Sequence, residues 1–151
     1  MNETEQAKIL IIDDDENIRK SISTVLQEKG YLVDTAENGR AAITKSETAP
    51  YNLALIDIRL PDMDGVQLLT AMKQTTPKMV KIIITGYPSL QNAIEAVNKG
   101  ADGYIVKPIK MDELLTMINE HLKKQQEAGK YSEEKVAEFI KTRAKELESR
   151  S

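Results

Sequence analysis

The chain contains no cysteine and a single histidine, His121. A disulfide scaffold, a thiolate zinc site and a cysteine nucleophile are excluded, and a His-rich metal site has no material. Any Ser–His catalytic pairing would rest on that one imidazole. No stretch approaches the ~20 consecutive apolar residues that a membrane-spanning helix requires. Met1 to Ala7 is polar and acidic, where a secretory signal would be basic and then apolar. These features predict a cytoplasmic protein that does not engage a membrane. An excess of positive charge is also missing: 24 acidic and 21 basic side chains give a net charge of −3, so nothing draws the chain globally to nucleic acid.

What is present is material for a core. Hydrophobic residues make up 40% and charged residues 30% of 151 positions, which suits one soluble domain with an appendage. The charge is unevenly spread. Met1 to Leu122 holds 13 basic and 18 acidic residues, net −5, and Lys123 to Ser151 holds 8 and 6, net +2. This shift predicts a domain over 1–124, then a linker and an amphipathic helical extension over 125–151.

Short apolar runs alternate with helical periodicity. Lys8 to Ile12 is a continuous apolar run that reads as a strand buried on both faces. Ile18, Ile22, Val25 and Leu26 recur at helical spacing up to Gly30, a helix stop. Tyr31 to Thr35 reads as a second strand and Gly39 to Glu47 as a second helix. Leu53 to Ile56 is a third strand ending at Asp57, followed by a loop over Ile58 to Asp64. A helix then carries Val66, Leu68, Leu69 and Met72 ahead of Pro77. Val80 to Ile84 ends in Thr85, Ser89 to Asn98 is helical up to Gly100, and Tyr104 to Val106 is the fifth strand. Asp112 is expected to cap a last helix bearing Leu114, Leu115, Ile118 and Leu122. Five strands alternating with five helices imply βαβ units and a parallel sheet covered on both faces. Such sheets gather ligands at the carboxyl ends of their strands.

The residues at those ends form a coherent set: Asp13-Asp14-Asp15, Asp57, Thr85 and Lys107. Converging carboxylates repel one another, a cost that a bound divalent cation removes. Oxygen-only ligands favour Mg²⁺. A carboxylate can also attack phosphorus and form an acyl phosphate, with Lys and Thr stabilising the phosphoryl oxygens. Each residue has a plainer reading. Acids after a strand often cap the next helix, as Asp15 is expected to do; Thr85 could be an ordinary strand residue and Lys107 a solvated lysine. Their combination at four strand ends favours a site.

Ile11 to Asp15, Asp57 to Gly65 (Asp-Ile-Arg-Leu-Pro-Asp-Met-Asp-Gly), Ile84-Thr85-Gly86 and Lys107-Pro108 resemble the receiver domain of the response regulators of bacterial and archaeal two-component systems. The likeness runs from about Lys8 to about Leu122. It implies a flavodoxin-like fold with strand order 2-1-3-4-5. It implies that Asp57 is the phosphoacceptor, that Asp13, Asp14, Asp57 and the Arg59 carbonyl hold Mg²⁺, and that Thr85 and Lys107 contact the phosphate. Tyr104 matches the aromatic switch residue, and Lys107-Pro108 a peptide that is usually cis. The implied donor is a phosphohistidine on a sensor kinase or phosphotransfer protein, and the implied target is a downstream output partner. The resemblance also places Arg59 and Tyr87 beside the path of the water that ends the phosphorylated state. Neither side chain readily acts as a base at neutral pH, so slow self-dephosphorylation is expected.

Two other readings compete. Asp13-Asp14-Asp15 contains an Asp-x-Asp after a strand, as in phosphohydrolases of the haloacid-dehalogenase type, but no acidic pair follows Lys107 and Asp57 would have no role. A non-catalytic dimerisation module would make the acids structural. In the tail, Gly129 is expected to break the run. From Ser132 the residues Val136, Phe139, Ile140, Ala144 and Leu147 follow helical spacing. That helix either docks on its own domain, pairs with a second copy in a homodimer, or serves as a linker to an output domain.

Overall fold

The computed structural model describes residues 7–75 and 77–149. Strands β1 (Lys8–Ile12), β2 (Leu32–Ala36), β3 (Leu53–Asp57), β4 (Val80–Thr85) and β5 (Gly103–Val106) alternate with helices α1 (Glu16–Glu28), α2 (Gly39–Thr48), α3 (Gly65–Ala71), α4 (Leu90–Asn98) and α5 (Met111–Ser149). All strand pairs are parallel and their order is β2-β1-β3-β4-β5. The expected flavodoxin-like topology, helical extension included, is the observed one.

The continuous apolar runs are explained by burial on both faces. Ile9, Ile11, Leu53, Leu55, Ile82 and Ile84 point to one side, against Ile22 and Leu26 of α1 and Leu114, Ile118 and Leu122 of α5. Leu10, Ile12, Ala54, Ile56 and Ile83 point to the other, against Ala42 of α2, Val66, Leu68 and Leu69 of α3 and Ala96 of α4. The period of two along each strand sorts the side chains between these layers. The edge strands β2 and β5 are less buried than the central three, with Leu32 57% and Val106 46% exposed. β2 begins at Leu32, one residue after the expected Tyr31.

The turn chemistry follows the sequence closely. Asp15 caps α1, its carboxylate accepting from the Asn17 and Ile18 amides at 2.8 and 3.4 Å. Gly30 and Gly100 follow α1 and α4 with φ of 93° and 99°, the left-handed geometry that ends helices most cheaply at glycine. The Lys107–Pro108 peptide is cis.

Two expectations for α5 are corrected. The helix starts at Met111, with the Lys110 carbonyl accepting from the Leu114 amide, so Asp112 lies inside the first turn and is not the cap. Nor does Gly129 break the run. α5 continues through it to Ser149, and no linker separates the docked part from the extension. One glycine costs a helix only about 1 kcal/mol, which good helix formers on either side absorb. The docked part ends at Gln125, whose amide nitrogen donates to the Asn52 and Lys78 carbonyls at 3.0 and 2.8 Å. Beyond it Val136, Phe139, Ile140 and Leu147 are 57–70% exposed, so the extension does not dock on its own domain. Among the described residues, no helix is long and apolar enough to cross a membrane.

Candidate functional site

Strand register decides which chain ends meet. Ile12 pairs with Ile56, so the next residues, Asp13 and Asp57, leave β1 and β3 side by side. Asp57 pairs with Ile84 and Thr85 with Val106, which brings Thr85 and then Lys107 to the same rim. Two backbone links hold the ends in place, the Ile58 amide donating to the Ile84 carbonyl at 3.1 Å and the Lys107 amide to the Thr85 carbonyl at 2.8 Å.

Carboxylate oxygens of Asp13, Asp14 and Asp57 lie within 4.8 Å of one another. Asp13 and Asp57 are buried, whereas Asp14 opens to solvent. The Lys107 ammonium sits between the buried pair, 3.2 Å from Asp13 Oδ2 and 3.2 Å from Asp57 Oδ2. Their other oxygens are occupied locally: the Asp15 amide donates to Asp13 Oδ1 at 2.9 Å and the Arg59 amide to Asp57 Oδ1 at 3.1 Å. Burial pushes the Asp13 carboxyl above its usual range, and the Asp57 charge adds to this against the Asp15 amide and Lys107. Burial alone would pull Lys107 down, but the Asp13 and Asp57 charges together outweigh it and the ammonium is held above its ordinary value.

The donor set fits a hard divalent cation. It consists of carboxylate oxygens with no thiolate or imidazole, and one of its three members faces solvent, from which an ion and its waters enter. One cation, Lys107, already balances part of the negative charge.

Thr85 is fully buried, and its hydroxyl accepts from the Tyr87 amide at 2.9 Å. Tyr104 pairs with Ile83, the same-face neighbour of Thr85 on β4, and packs into the layer formed by α2, α3 and α4. Its hydroxyl is buried without a hydrogen-bond partner among the described residues. Arg59 and Tyr87, both expected beside the path of the water, touch: the guanidinium carbon lies 3.6 Å from the ring centroid. This stack joins the loop after β3 to the loop after β4.

Several supporting residues escape a reading of the sequence. Arg19 on α1 donates to the Asp13 carbonyl at 2.7 Å. Asp62 accepts from the Gly39 and Arg40 amides at 2.8 and 2.9 Å, tying the β3–α3 loop to the start of α2, and those amides hold its carboxyl below the usual range. Asp64 caps α3 through the Val66 amide at 2.7 Å, which an acid ahead of an apolar helical run could have signalled. Gly65 is demanded by close approach, since a Cβ there would stand 2.3 Å from the Asp57 carbonyl oxygen.

The regulatory protein AtoC of Escherichia coli is 35% identical over 118 residues, covering 78% of this chain and 26% of that protein. The response regulator ArlR of Staphylococcus epidermidis is 34% identical over 117 residues, 78% of this chain and 53% of that protein. The chain thus spans between about a quarter and about half of these curated relatives. The crystal structure of a CheY-like response regulator receiver domain protein from Methanospirillum hungatei superposes with a TM-score of 0.79 at 43% identity, covering 82% of this chain and 99% of that one. The sequence model of the response regulator receiver domain matches residues 9–119, from the first strand into the docked part of α5. With the acidic rim, the sheet order and the lysine bridge on the same residues, the chain belongs to the response regulator receiver domain family.

Proposed function

We propose that Asp57 is the phosphoacceptor of a Mg²⁺-dependent signalling switch. The observation that carries this reading is the convergence of Asp57 with Asp13, Asp14 and the Lys107 ammonium at one rim. An Asp57 oxygen attacks the phosphorus of a phosphohistidine on a sensor kinase or phosphotransfer protein, and the N–P bond breaks with its electron pair leaving on the imidazole nitrogen. No general base is required when the carboxylate is already ionised, so positioning and charge neutralisation are the whole task. Mg²⁺ held by Asp13, Asp14, Asp57 and the Arg59 carbonyl would neutralise charge at the phosphoryl oxygens. Lys107 then exchanges its Asp57 contact for a phosphoryl oxygen, while Asp13 keeps it in place.

Thr85 couples the site to the surface. Its hydroxyl oxygen accepts from the Tyr87 amide, and a new phosphoryl dianion draws on its O–H as a donor, pulling the side chain toward Asp57. The Tyr104 hydroxyl, buried and unpartnered, carries a cost of about 1–3 kcal/mol in this state. Displacement of Thr85 opens interior space into which the Tyr104 ring can turn, giving that hydroxyl a second position, so a small movement of Thr85 biases a two-state equilibrium. A downstream output partner in the cytoplasm reads the difference. Arg59 and Tyr87 set the lifetime of the phosphorylated state. The chain acts on no substrate beyond its own aspartyl phosphate.

The test is incubation with a small phosphodonor and Mg²⁺ followed by intact mass measurement. One added phosphoryl group is expected in the native chain and none in Asp57→Asn. Undiminished labelling of that variant overturns the assignment.

A further inference from the structure

The apolar stripe that holds α5 to the sheet does not stop where the domain stops. Leu114, Ile118 and Leu122 face the core, with Leu115 partly buried beside them. Further along the same helix an alternation of four- and three-residue steps runs through Gly129, Glu133, Val136, Ile140, Arg143 and Leu147. That is a heptad seam, and past Gln125 nothing among the described residues covers it: Val136, Ile140 and Leu147 are 58, 60 and 57% exposed.

We propose that this seam pairs with the same seam of a second copy of the chain, running antiparallel. The steps from Gly129 to Leu147 read four, three, four, three, four from either end, so an inverted copy brings layer onto layer. Val136 meets Ile140, Glu133 meets Arg143, and Leu147 meets Gly129. A parallel pair would place each residue against itself, with Glu133 on Glu133 and Arg143 on Arg143. Like charges directly opposed in a seam disfavour that orientation, whereas the antiparallel one turns the same four side chains into two ion pairs. Gly129 has no side chain to oppose Leu147, and the space beside its Cα is open in the single chain. In the single chain Arg143 bridges Glu146 at 3.0 Å, with both side chains more than half exposed. A pair of that kind is worth little and is readily exchanged. The seam is about 27 Å long, so the dimer is reversible and concentration-dependent. It needs no phosphoryl group at Asp57 and stands apart from the proposed switch.

Sedimentation of the whole chain across a wide concentration range tests the pairing. A monomer–dimer equilibrium is expected, lost in Ile140→Asp. Glu133→Arg and Arg143→Glu should each weaken association about tenfold or more, and the double variant should recover it. Because the chain has no cysteine, orientation can be read by oxidising a mixture of Glu133→Cys and Arg143→Cys proteins. Cross-links are expected between the two and not within either alone. A monomer at every concentration, association that survives Ile140→Asp, no rescue in the double variant, or self-cross-linking of Glu133→Cys each overturns the proposal.

Discussion

The contact between Arg59 and Tyr87 makes the lifetime of an aspartyl phosphate calculable in outline. The guanidinium carbon is 3.6 Å from the ring centroid and Tyr87 is 59% exposed, so the stack is a solvated one. Cation–π contacts of that kind are worth about 0.5–1 kcal/mol. If the stack is what obstructs water, its loss raises the rate of phosphate release by roughly two- to fivefold, since ~1.4 kcal/mol corresponds to a factor of ten. Arg59→Asn and Tyr87→Ala should each show this increase when phosphate loss is followed by intact mass after the donor is removed. Because both substitutions delete one shared contact, the double variant should decay no faster than either single one. Unchanged or slower decay in the single variants refutes the reasoning. So does a double variant whose acceleration is the product of the two.

Asp14→Ala should abolish most Mg²⁺ affinity, read by calorimetric titration, while leaving the fold intact, because it removes a solvent-facing charge from a crowded acidic rim. Thr85→Ala should accept phosphate at Asp57 yet leave the Tyr104 ring resonances unmoved on phosphorylation. Gly65→Ala should lose about 2–4 kcal/mol, through overpacking against the Asp57 carbonyl and the hydrogen bond from the Gly65 amide to the Ile58 carbonyl. In a thermal melt that is a fall of roughly 5–15 °C. Tyr51→Phe removes the hydroxyl that donates to Asp34 Oδ2 at 2.6 Å and holds that carboxyl below its ordinary 3.8. Since the folded-state value is depressed, the stabilisation is present above pH 3.8 and is lost as pH falls through the folded value. Asp34 is partly exposed, so the cost at pH 7 should be only about 1 kcal/mol, and the two melting curves should converge in stronger acid.

The strand ends are legible in the sequence because a buried parallel strand is a continuous apolar run, and the first polar residue after it marks the rim. Asp13, Asp57, Thr85 and Lys107 are all found in that way. Lys81 shows where the signal is blind. It stands inside the run of β4, buried, with its ammonium donating to the Leu69 carbonyl near the end of α3 at 2.6 Å. Periodicity has no means of foreseeing an acceptor twelve residues away. The same holds for the Asp62 tie to α2 and the Arg59–Tyr87 stack, which join segments that register and loop packing bring together only in the folded state. The continuity of α5 is hidden for another reason: a lone glycine weakens a helix locally, and the helix-forming strength of the residues beyond it decides whether the helix resumes.

That unbroken helix gives the domain a lever arm. Gln125 acts as its fulcrum, fixed to the Asn52 and Lys78 carbonyls just before β3 and β4, at the end of the sheet opposite the acidic rim. From there to Ser149 the rod is about 36 Å long. A tilt of about 5° at the fulcrum therefore sweeps the far end through roughly 3 Å. Repacking too small to notice inside the domain would arrive at the tip as a displacement comparable to the radius of a helix backbone.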